Sequence, residues 1–346
     1  MGPELIIWIV HLFGLLAGGY LLRALPRCAA DSRRTPVSII IPARDEERNL
    51  PTLLESLTRQ TPSPEEIIVV DDGSTDRTAE IARAAGARVI ASAPLPDGWR
   101  GKAWACQQGA DAAVHDTLIF MDADTRFEPD GLQAVCSDFA NQPGALSLAA
   151  FQTLEKPAEQ LSAFFVWVMT AASELFGPFL MVSKMDYEKA GGHAAVKNKV
   201  LENVHLAAAF RNAGISVRSL SGEGTLAIRM YPGGLRELSN GWKKAFATGA
   251  GQTPPLRMAG IIFWLSTAAG AAVMLPASTV TGASLTLWGS LYAAFAGLLF
   301  VQLRRLGQFR LWTALLYPVA LVFFFALFAQ SASQKKQSWK GRTYVD

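Results

Sequence analysis

Cysteine and histidine are scarce in this chain, with three cysteines and four histidines among 346 residues. Cys28, Cys106 and Cys136 are odd in number and lack metal-ligand spacing. That excludes a disulfide framework or a zinc knuckle and fits a reducing, cytoplasmic environment. Charge of one sign is also missing: 32 basic residues face 29 acidic ones, for a formal net charge of +3. The basic clusters sit beside apolar segments, which argues for a membrane surface and against nucleic acid. No long-period repeat or low-complexity tail is present, and no G-x-G-x-x-G follows the first strand-like run at residues 37–41. The dinucleotide-binding reading of an alternating strand and helix pattern is thereby disfavoured.

Two strand-like runs end in carboxylates. Ile67-Ile68-Val69-Val70 leads into Asp71-Asp72-Gly73-Ser74-Thr75-Asp76, and Leu118-Ile119-Phe120-Met121 leads into Asp122-Ala123-Asp124. An apolar run that ends in acids is what a buried parallel strand looks like when its carboxyl end opens into a ligand crevice. Carboxylates at Asp71 or Asp72 can accept hydrogen bonds from a base and a ribose, but they repel a diphosphate. A phosphate end therefore needs a cation. Asp122 and Asp124 lie on the same side of an extended segment and supply two oxygen ligands for a hard divalent ion such as Mg²⁺ or Mn²⁺. Each motif alone is also an ordinary helix cap or surface turn. Their order and their shared place after apolar strands favour a nucleotide-sugar site.

Around them the pattern alternates. Residues 37–41 read as a strand ended by Pro42, residues 49–58 as a helix, and residues 67–70 as a strand. An alanine-rich helix at 75–85 closes at Gly86; a strand at 87–91, a helix at 102–113 and a strand at 118–121 follow. The expected class is α/β, a mostly parallel, Rossmann-like sheet with helices on its faces.

The residues Pro42-Ala43-Arg44-Asp45-Glu46-Glu47, Val70-Asp71-Asp72-Gly73-Ser74-Thr75-Asp76, Gly101-Lys102 and Asp122-Ala123-Asp124, in that order, resemble the family 2 inverting glycosyltransferases of GT-A fold. Several further pieces look like the membrane-bound branch acting on the carotenoid acid diaponeurosporenoate. They are Glu159-Gln160-Leu161-Ser162, Phe176-Gly177-Pro178, Asp186-Tyr187, Gly191-Gly192-His193, Gly241-Trp242-Lys243-Lys244 and Trp339-Lys340-Gly341-Arg342. By this resemblance Ala43, Arg44 and Glu46 would line a nucleotide pocket, Asp71 or Asp72 would hold base or ribose, and Lys102 would approach the diphosphate. Asp124, aided by Asp122, would carry Mg²⁺ or Mn²⁺. The donor implied is a UDP-sugar.

One departure concerns the base. The family commonly carries an acidic pair whose second member deprotonates the acceptor; here the stretch reads Val200-Leu201-Glu202-Asn203-Val204-His205. Asn203 cannot act as a general base. That leaves Glu202, His205 or no base, and a carboxylic acid acceptor, already ionised at neutral pH, needs none.

Long apolar runs place the chain in a membrane; half of its residues are hydrophobic. Residues 5–22 are long enough to span, interrupted only by His11, and Arg23, Arg27, Arg33 and Arg34 follow. Positive charge after the span orients it with the catalytic domain inside; a cleaved signal peptide would carry its charges first. Residues 258–277, 284–301 and 311–329 form further apolar runs, separated by a neutral turn at 276–282 and a basic loop at Arg304, Arg305 and Arg310. Three crossings would put the tail with Lys335, Lys336, Lys340 and Arg342 outside, against the charge rule. Either residues 311–329, which contain Pro318, enter and return, or the tail breaks the rule. Residues 161–180 read as a core helix or an interfacial wall, and 236–246 as an amphipathic surface helix. Trp99 and Trp104 flank Lys102 and are either substrate contacts or packed.

The expected organisation is an anchor and linker at 1–34, a cytoplasmic GT-A domain at 35–232, an interfacial segment at 233–257, transmembrane helices at 258–330 and a tail at 331–346. The expected activity is transfer of a sugar from a UDP-sugar to a membrane lipid at the inner membrane, the lead acceptor being a carotenoid carboxylic acid. Other lipids (a hopanoid, polyprenyl phosphate, diacylglycerol or a ceramide-like alcohol) remain open, as does a non-catalytic membrane scaffold. Partners implied are the donor, the lipid, the bilayer and other lipid or carotenoid biosynthesis enzymes, with no nucleic acid.

Overall fold

A computed structural model describes residues 3–22, 25–28, 35–199, 202–249, 253–331, 336–339 and 342–345. Arg23, Arg33, Arg34, Lys335 and Lys340 lie outside these. In chain order the elements are α1 (Pro3–Leu21), β1 (Ser38–Ala43), α2 (Leu50–Thr58), β2 (Glu66–Asp71), α3 (Thr78–Ala84), β3 (Arg88–Ala91), α4 (Gly101–Ala112), β4 (Thr117–Met121), β5 (Thr125–Phe127) and α5 (Gly131–Asn141). Next come β6 (Ala145–Ala149), β7 (Phe151–Gln152), a 3-10 turn (Pro157–Ser162), α6 (Ala163–Ala172), β8 (Phe179–Ser183), α7 (Lys184–Lys189), a second 3-10 turn (Gly192–Val196), α8 (Glu202–Asn212), β9 (Val217–Ser221) and β10 (Leu226–Ile228). The chain ends with α9 (Leu235–Gly249), α10 (Pro255–Thr281), α11 (Leu285–Leu306), α12 (Leu311–Leu315), α13 (Tyr317–Ser331), β11 (Lys336–Trp339) and β12 (Arg342–Val345). They fall into two compact units: Leu25–Thr153, Glu174–Met230 and Lys336–Asp346 in one, and Met1–Ala24, Leu154–Ser173 and Tyr231–Lys335 in the other.

The first unit is built on a seven-stranded sheet of order β3-β2-β1-β4-β8-β6-β9. β1 pairs in parallel with β2 and β4, β2 with β3 and β6 with β9, while β8 runs antiparallel to β4 and β6. Side-chain alternation assigns the two faces. Ile39 and Ile41 pack with Leu50, Leu53, Leu54 and Leu57 of α2 on one, and Ile40 packs with Ala105, Cys106 and Ala110 of α4 on the other. α4 approaches closely because of Gly109, where a Cβ would stand 2.3 Å from Ile40 Cγ2. The chain leaves β3 at one edge and re-enters at β4 beyond β1, so the sheet has a topological switch point beside β1, where ligands bind in open α/β sheets. The carboxyl ends of β1, β2 and β4 reach that edge together: Ala43 is level with Asp71, and Ile40 with Phe120.

Pro42 does not end β1 but pairs with Val70. The β1–β4 ladder has already stopped at Ile40, so a residue without an N–H is tolerated there. α3 starts later than expected because Asp76 accepts the Thr78 N–H at 2.9 Å and the preceding turn folds onto Asp45. Residues 161–180 are neither one helix nor one wall: α6 belongs to the apolar unit, and after Ser173 the chain returns to the sheet as β8.

In the second unit α6 is the core. Phe164, Phe165 and Trp167 are fully buried, and Trp167 stacks on Trp264 of α10 at 4.0 Å. Gln302 of α11 ties this core together, accepting from Trp167 Nε1 at 2.8 Å and donating to the Gly18 carbonyl of α1 at 2.9 Å. α1 lies against α10 at Gly14 and Gly18, where a Cβ would stand 2.2 Å from Thr267 Oγ1 and 2.1 Å from Trp264 Nε1. α9 buries Leu238 and Trp242, one turn apart, and Trp242 Nε1 donates to Ser162 Oγ at 3.0 Å. α1, α10 and α11 are each long and apolar enough to cross a membrane. Pro276 lies inside α10, so the expected turn at 276–282 shrinks to residues 282–284. Membrane helices tolerate such a proline when neighbours satisfy the freed carbonyl. The expected run at 311–329 is broken at Leu316, between α12 and α13.

Candidate active site

The segment after β1 and the segment after β2 are laced together. The Arg44 guanidinium donates to the Asp72 carbonyl at 2.8 Å and stands 3.7 Å from its carboxylate, and the Asp72 N–H donates to the Ala43 carbonyl at 2.8 Å. Asp45 takes a left-handed conformation, φ 53°, and its carboxylate accepts the Thr75 N–H at 2.8 Å while its own N–H reaches Ser74 Oγ at 3.0 Å. Asp71 accepts the Ser74 N–H at 3.1 Å. Glu46 donates its N–H to Thr78 Oγ1 at 2.8 Å, and its carboxylate accepts from Asn49 at 2.8 Å. Burial raises the Asp76 carboxyl, but the Thr78 hydroxyl and the N–H groups of Glu47 and Thr78 outweigh this and hold it below the usual range. This lacing ties Arg44, Glu46, Asp71 and Asp72 into one hydrogen-bonded group, in which Ala43 and Asp72 are buried.

Lys102, one residue into α4, points its ammonium at the second carboxylate motif. Its Nζ lies 2.7 Å from Asp122 Oδ1 and 3.0 Å from Oε1 of Glu202, the first residue of α8. All three side chains keep partial access to solvent, at 25%, 28% and 15%. Asp122 is fixed through its backbone: its N–H donates to the Pro178 carbonyl, and its carbonyl accepts from Thr125 Oγ1 at 2.7 Å. Burial and the neighbouring charges of Asp122 and Glu46 push Asp124 up to about 7, so this acid pair is under-neutralised. Glu202 is the contrast: burial raises it, but Lys102 and a backbone N–H outweigh that and hold it ionised.

Among the described residues no three His, Cys, Asp or Glu side chains converge as a metal-ligating group. Two carboxylates with an elevated proton affinity are nonetheless the donor set a Mg²⁺-like ion uses when substrate phosphate and water complete its shell. The residues present fit a divalent ion bound together with a phosphorylated ligand.

Lys102, Asp122, Glu202 and Asn203 line one small cavity together with His193. His205 is not among the lining side chains; it is half-buried on α8, where burial and Lys199 lower its proton affinity. Asn203 donates to the Leu175 carbonyl at 2.6 Å, so the residue in the place of the missing acid is a backbone clamp. Trp99 and Trp104 pack on each other at 4.9 Å, and Trp104 Nε1 donates to the Ala93 carbonyl.

His193 is the residue to which sequence reasoning gave no role. Its Nδ1 is 2.8 Å from Tyr187 Oη, its N–H donates to the same oxygen at 2.9 Å, and Tyr187 donates to Gln107 Oε1 at 3.2 Å. Only the Nδ1–H tautomer satisfies all three contacts, which leaves Nε2 as an acceptor. Burial drives its pKa down to about 4, so the ring is neutral. The Gly191-Gly192-His193 motif was the available signal, since Gly192 (φ 53°) lets the turn press against Tyr187, where a Cβ would be 2.7 Å from the ring.

Residues 38–154 match the model of glycosyl transferase family 2. A 4,4'-diaponeurosporenoate glycosyltransferase of Staphylococcus aureus (strain USA300) is 33% identical over 89% of this chain and 88% of its own length. That of strain MRSA252 is 34% identical with the same coverage. The chain belongs to glycosyl transferase family 2. Among solved structures, the mannosyltransferase PcManGT of Pyrobaculum calidifontis, in complex with GDP-Man and Mn²⁺, superposes with a TM-score of 0.57 at 17% identity. The superposition covers 95% of this chain and 99% of that one, and it establishes a shared GT-A-like α/β fold. The matched residues include Asp72, Lys102, Asp122 and Asp124, and Glu202 lies beyond them.

Proposed function

We propose that this family 2 enzyme transfers a sugar, glucose in the leading reading, from a UDP-sugar to a membrane lipid with inversion at the anomeric carbon. The acceptor is a carotenoid carboxylic acid and the product a glycosyl ester. The observation that carries this reading is the Lys102–Asp122–Glu202 cluster beside Asp124 at the carboxyl edge of β4. The group of Ala43, Arg44, Glu46, Asp71 and Asp72 binds the nucleoside: Asp71 and Asp72 offer acceptors to base and ribose donors, and Arg44 ties the segments after β1 and β2 together. Asp124 and Asp122 would hold Mg²⁺ or Mn²⁺, which would supply charge neutralisation for the departing diphosphate. Lys102, held between Asp122 and Glu202 at the start of α4, offers its ammonium to the same phosphates, where the backbone N–H groups of a helix start would also favour an anion.

Lys102 lowers the proton affinity of Glu202, which makes it a weak base, and its part in this reading is to orient the acceptor. A carboxylate acceptor arrives deprotonated, so in-line attack needs no base to take a proton as the bond forms. Placing the two reactants in line in a fixed, water-poor setting then provides most of the acceleration. The identity with diaponeurosporenoate glycosyltransferases across the chain supports this acceptor class, and Asn203 in the place of a second acid agrees with it. The bilayer is the setting: three apolar helices suit it, and Arg27 together with its neighbouring arginines after α1 favours the catalytic unit on the cytoplasmic side of the inner membrane.

The bond type of the product tests the reading. Labelled lipid from membranes given labelled UDP-glucose and a carotenoid acid should release its label in mild alkali or hydroxylamine, as an ester does. An alkali-stable product would assign the enzyme to a hydroxyl acceptor, and no labelled product with any donor or lipid would favour a scaffold.

A further inference from the structure

We propose that α12 and α13 dip into one leaflet and return, so that the chain crosses the bilayer three times and its basic tail shares a side with the end of α1. α13 has 15 residues, which at 1.5 Å each reach about 22 Å, short of a hydrocarbon core of about 30 Å. Length alone is not decisive, because a kinked α12–α13 could still cross. The contacts within this unit decide it.

The entry point is tied to the 3-10 turn before α6. Gln160 Oε1 accepts the Arg310 N–H at 2.9 Å and the Thr313 hydroxyl at 2.5 Å, and Gln160 Nε2 donates to the Gln308 carbonyl at 3.2 Å. The turning point lies deeper. Leu316 leaves the helix ahead of Pro318, the Leu315 carbonyl accepts from Tyr292 Oη of α11, and Tyr317 Oη donates to the Ala268 carbonyl, half-way along α10, at 2.9 Å. From there α13 packs on α9 and on the turn Pro157–Ser162, and far less on α10. Phe165 bridges the two helices, with its ring 5.0 Å from Phe324 and 4.9 Å from Trp242 of α9. A helix that crossed would run on beside α10; this one instead lies along α9 and the turn that precedes α6. The face it leaves uncovered, with Val319 and Val322 60% and 69% exposed, suits the acyl chains of a single leaflet. Return also puts Arg304, Arg305 and Arg310 on the same side as the basic tail, which removes the charge conflict of a fourth crossing.

The test compares two variants of the full chain, each with one added cysteine, in a thiol-labelling assay with a membrane-impermeant maleimide. Ala283→Cys reports the turn between α10 and α11, and Ser338→Cys the polar tail; the wild-type cysteines give the blank. The proposal predicts opposite sides: one variant labels in intact spheroplasts, the other only in inside-out vesicles, each by at least tenfold over the blank. Labelling of both from the same side overturns it, as does a tail that labels in neither preparation. The absolute side of Ala283→Cys tests the orientation given under the proposed function, so reversed but opposite labelling would overturn that reading and leave this one standing.

Discussion

Replacing Glu202 by Gln removes a negative charge from the cleft while keeping the shape of the side chain. A general base contributes about 10²- to 10⁴-fold to a rate, about 3–5 kcal/mol of barrier. If the acceptor is a carboxylate that contribution is absent, and what the substitution removes is one of two ion pairs on Lys102. Glu202 Oε1 lies 3.0 Å from Nζ, but Asp122 remains at 2.7 Å and both carboxylates keep some solvent. A partly screened pair of this kind contributes up to about 1 kcal/mol. The expected loss is therefore below about tenfold in kcat/KM. Asp124→Asn should cost at least about 10²-fold, because the amide cannot neutralise a divalent ion as the carboxylate does. The assay is the initial rate of label transfer to a carotenoid acid in membranes, at several donor and acceptor concentrations. Equal, near-total losses for both variants would refute the reasoning and make Glu202 the base.

Metal removal by EDTA should abolish transfer, with recovery on adding Mg²⁺ or Mn²⁺. Because Asp124 must lose a proton of pKa about 7 before it binds the ion, the metal concentration for half-maximal rate should fall about tenfold between pH 6 and pH 8, measured by metal titration at each pH. His193 carries a stability prediction: its folded pKa, about 4, lies below the ordinary 6.5, so the unfolded chain binds more protons in that interval. The stability it contributes is complete above about pH 6.5 and is lost as pH falls towards 4, by up to about 3 kcal/mol. Thermal unfolding of solubilised wild type and His193→Gln across that range should show the wild type losing its midpoint faster; parallel curves would contradict the assignment. Gly18→Val should drive a side chain into Trp264 and lower the yield of folded protein in membranes, whereas Gly19→Val, with open space around it, should not.

The mostly parallel sheet and the carboxylate-bearing strand ends were legible because buried parallel strands are written as continuous apolar runs, Ile39-Ile40-Ile41 and Ile67-Ile68-Val69-Val70 among them, whereas the strand order came only from the structure. The positions of Lys102 and Asp122 were legible for the same reason: each directly follows a readable element boundary. Their direct ion pair, with Glu202 as the third member, was not, because α8 arrives from 80 residues further on through tertiary packing. His193 was hidden by its ordinary appearance in a turn; only the Tyr187–Gln107 partnership gives it a fixed tautomer. The division of residues 161–180 between two units could not be read from hydropathy, since a buried helix and a buried strand share the same apolar signature.

The central claim is an ion-dependent glycosyl transfer to a carotenoid acid at the Asp122–Asp124 edge. Membranes with the wild-type chain or Asp124→Asn, given labelled UDP-glucose, a divalent ion and a carotenoid-acid extract, test it most directly. The account predicts ion-dependent appearance of label in a coloured, alkali-labile lipid with the wild type and its loss in the variant. Equal transfer by both proteins, or label entering only colourless lipids, would contradict it.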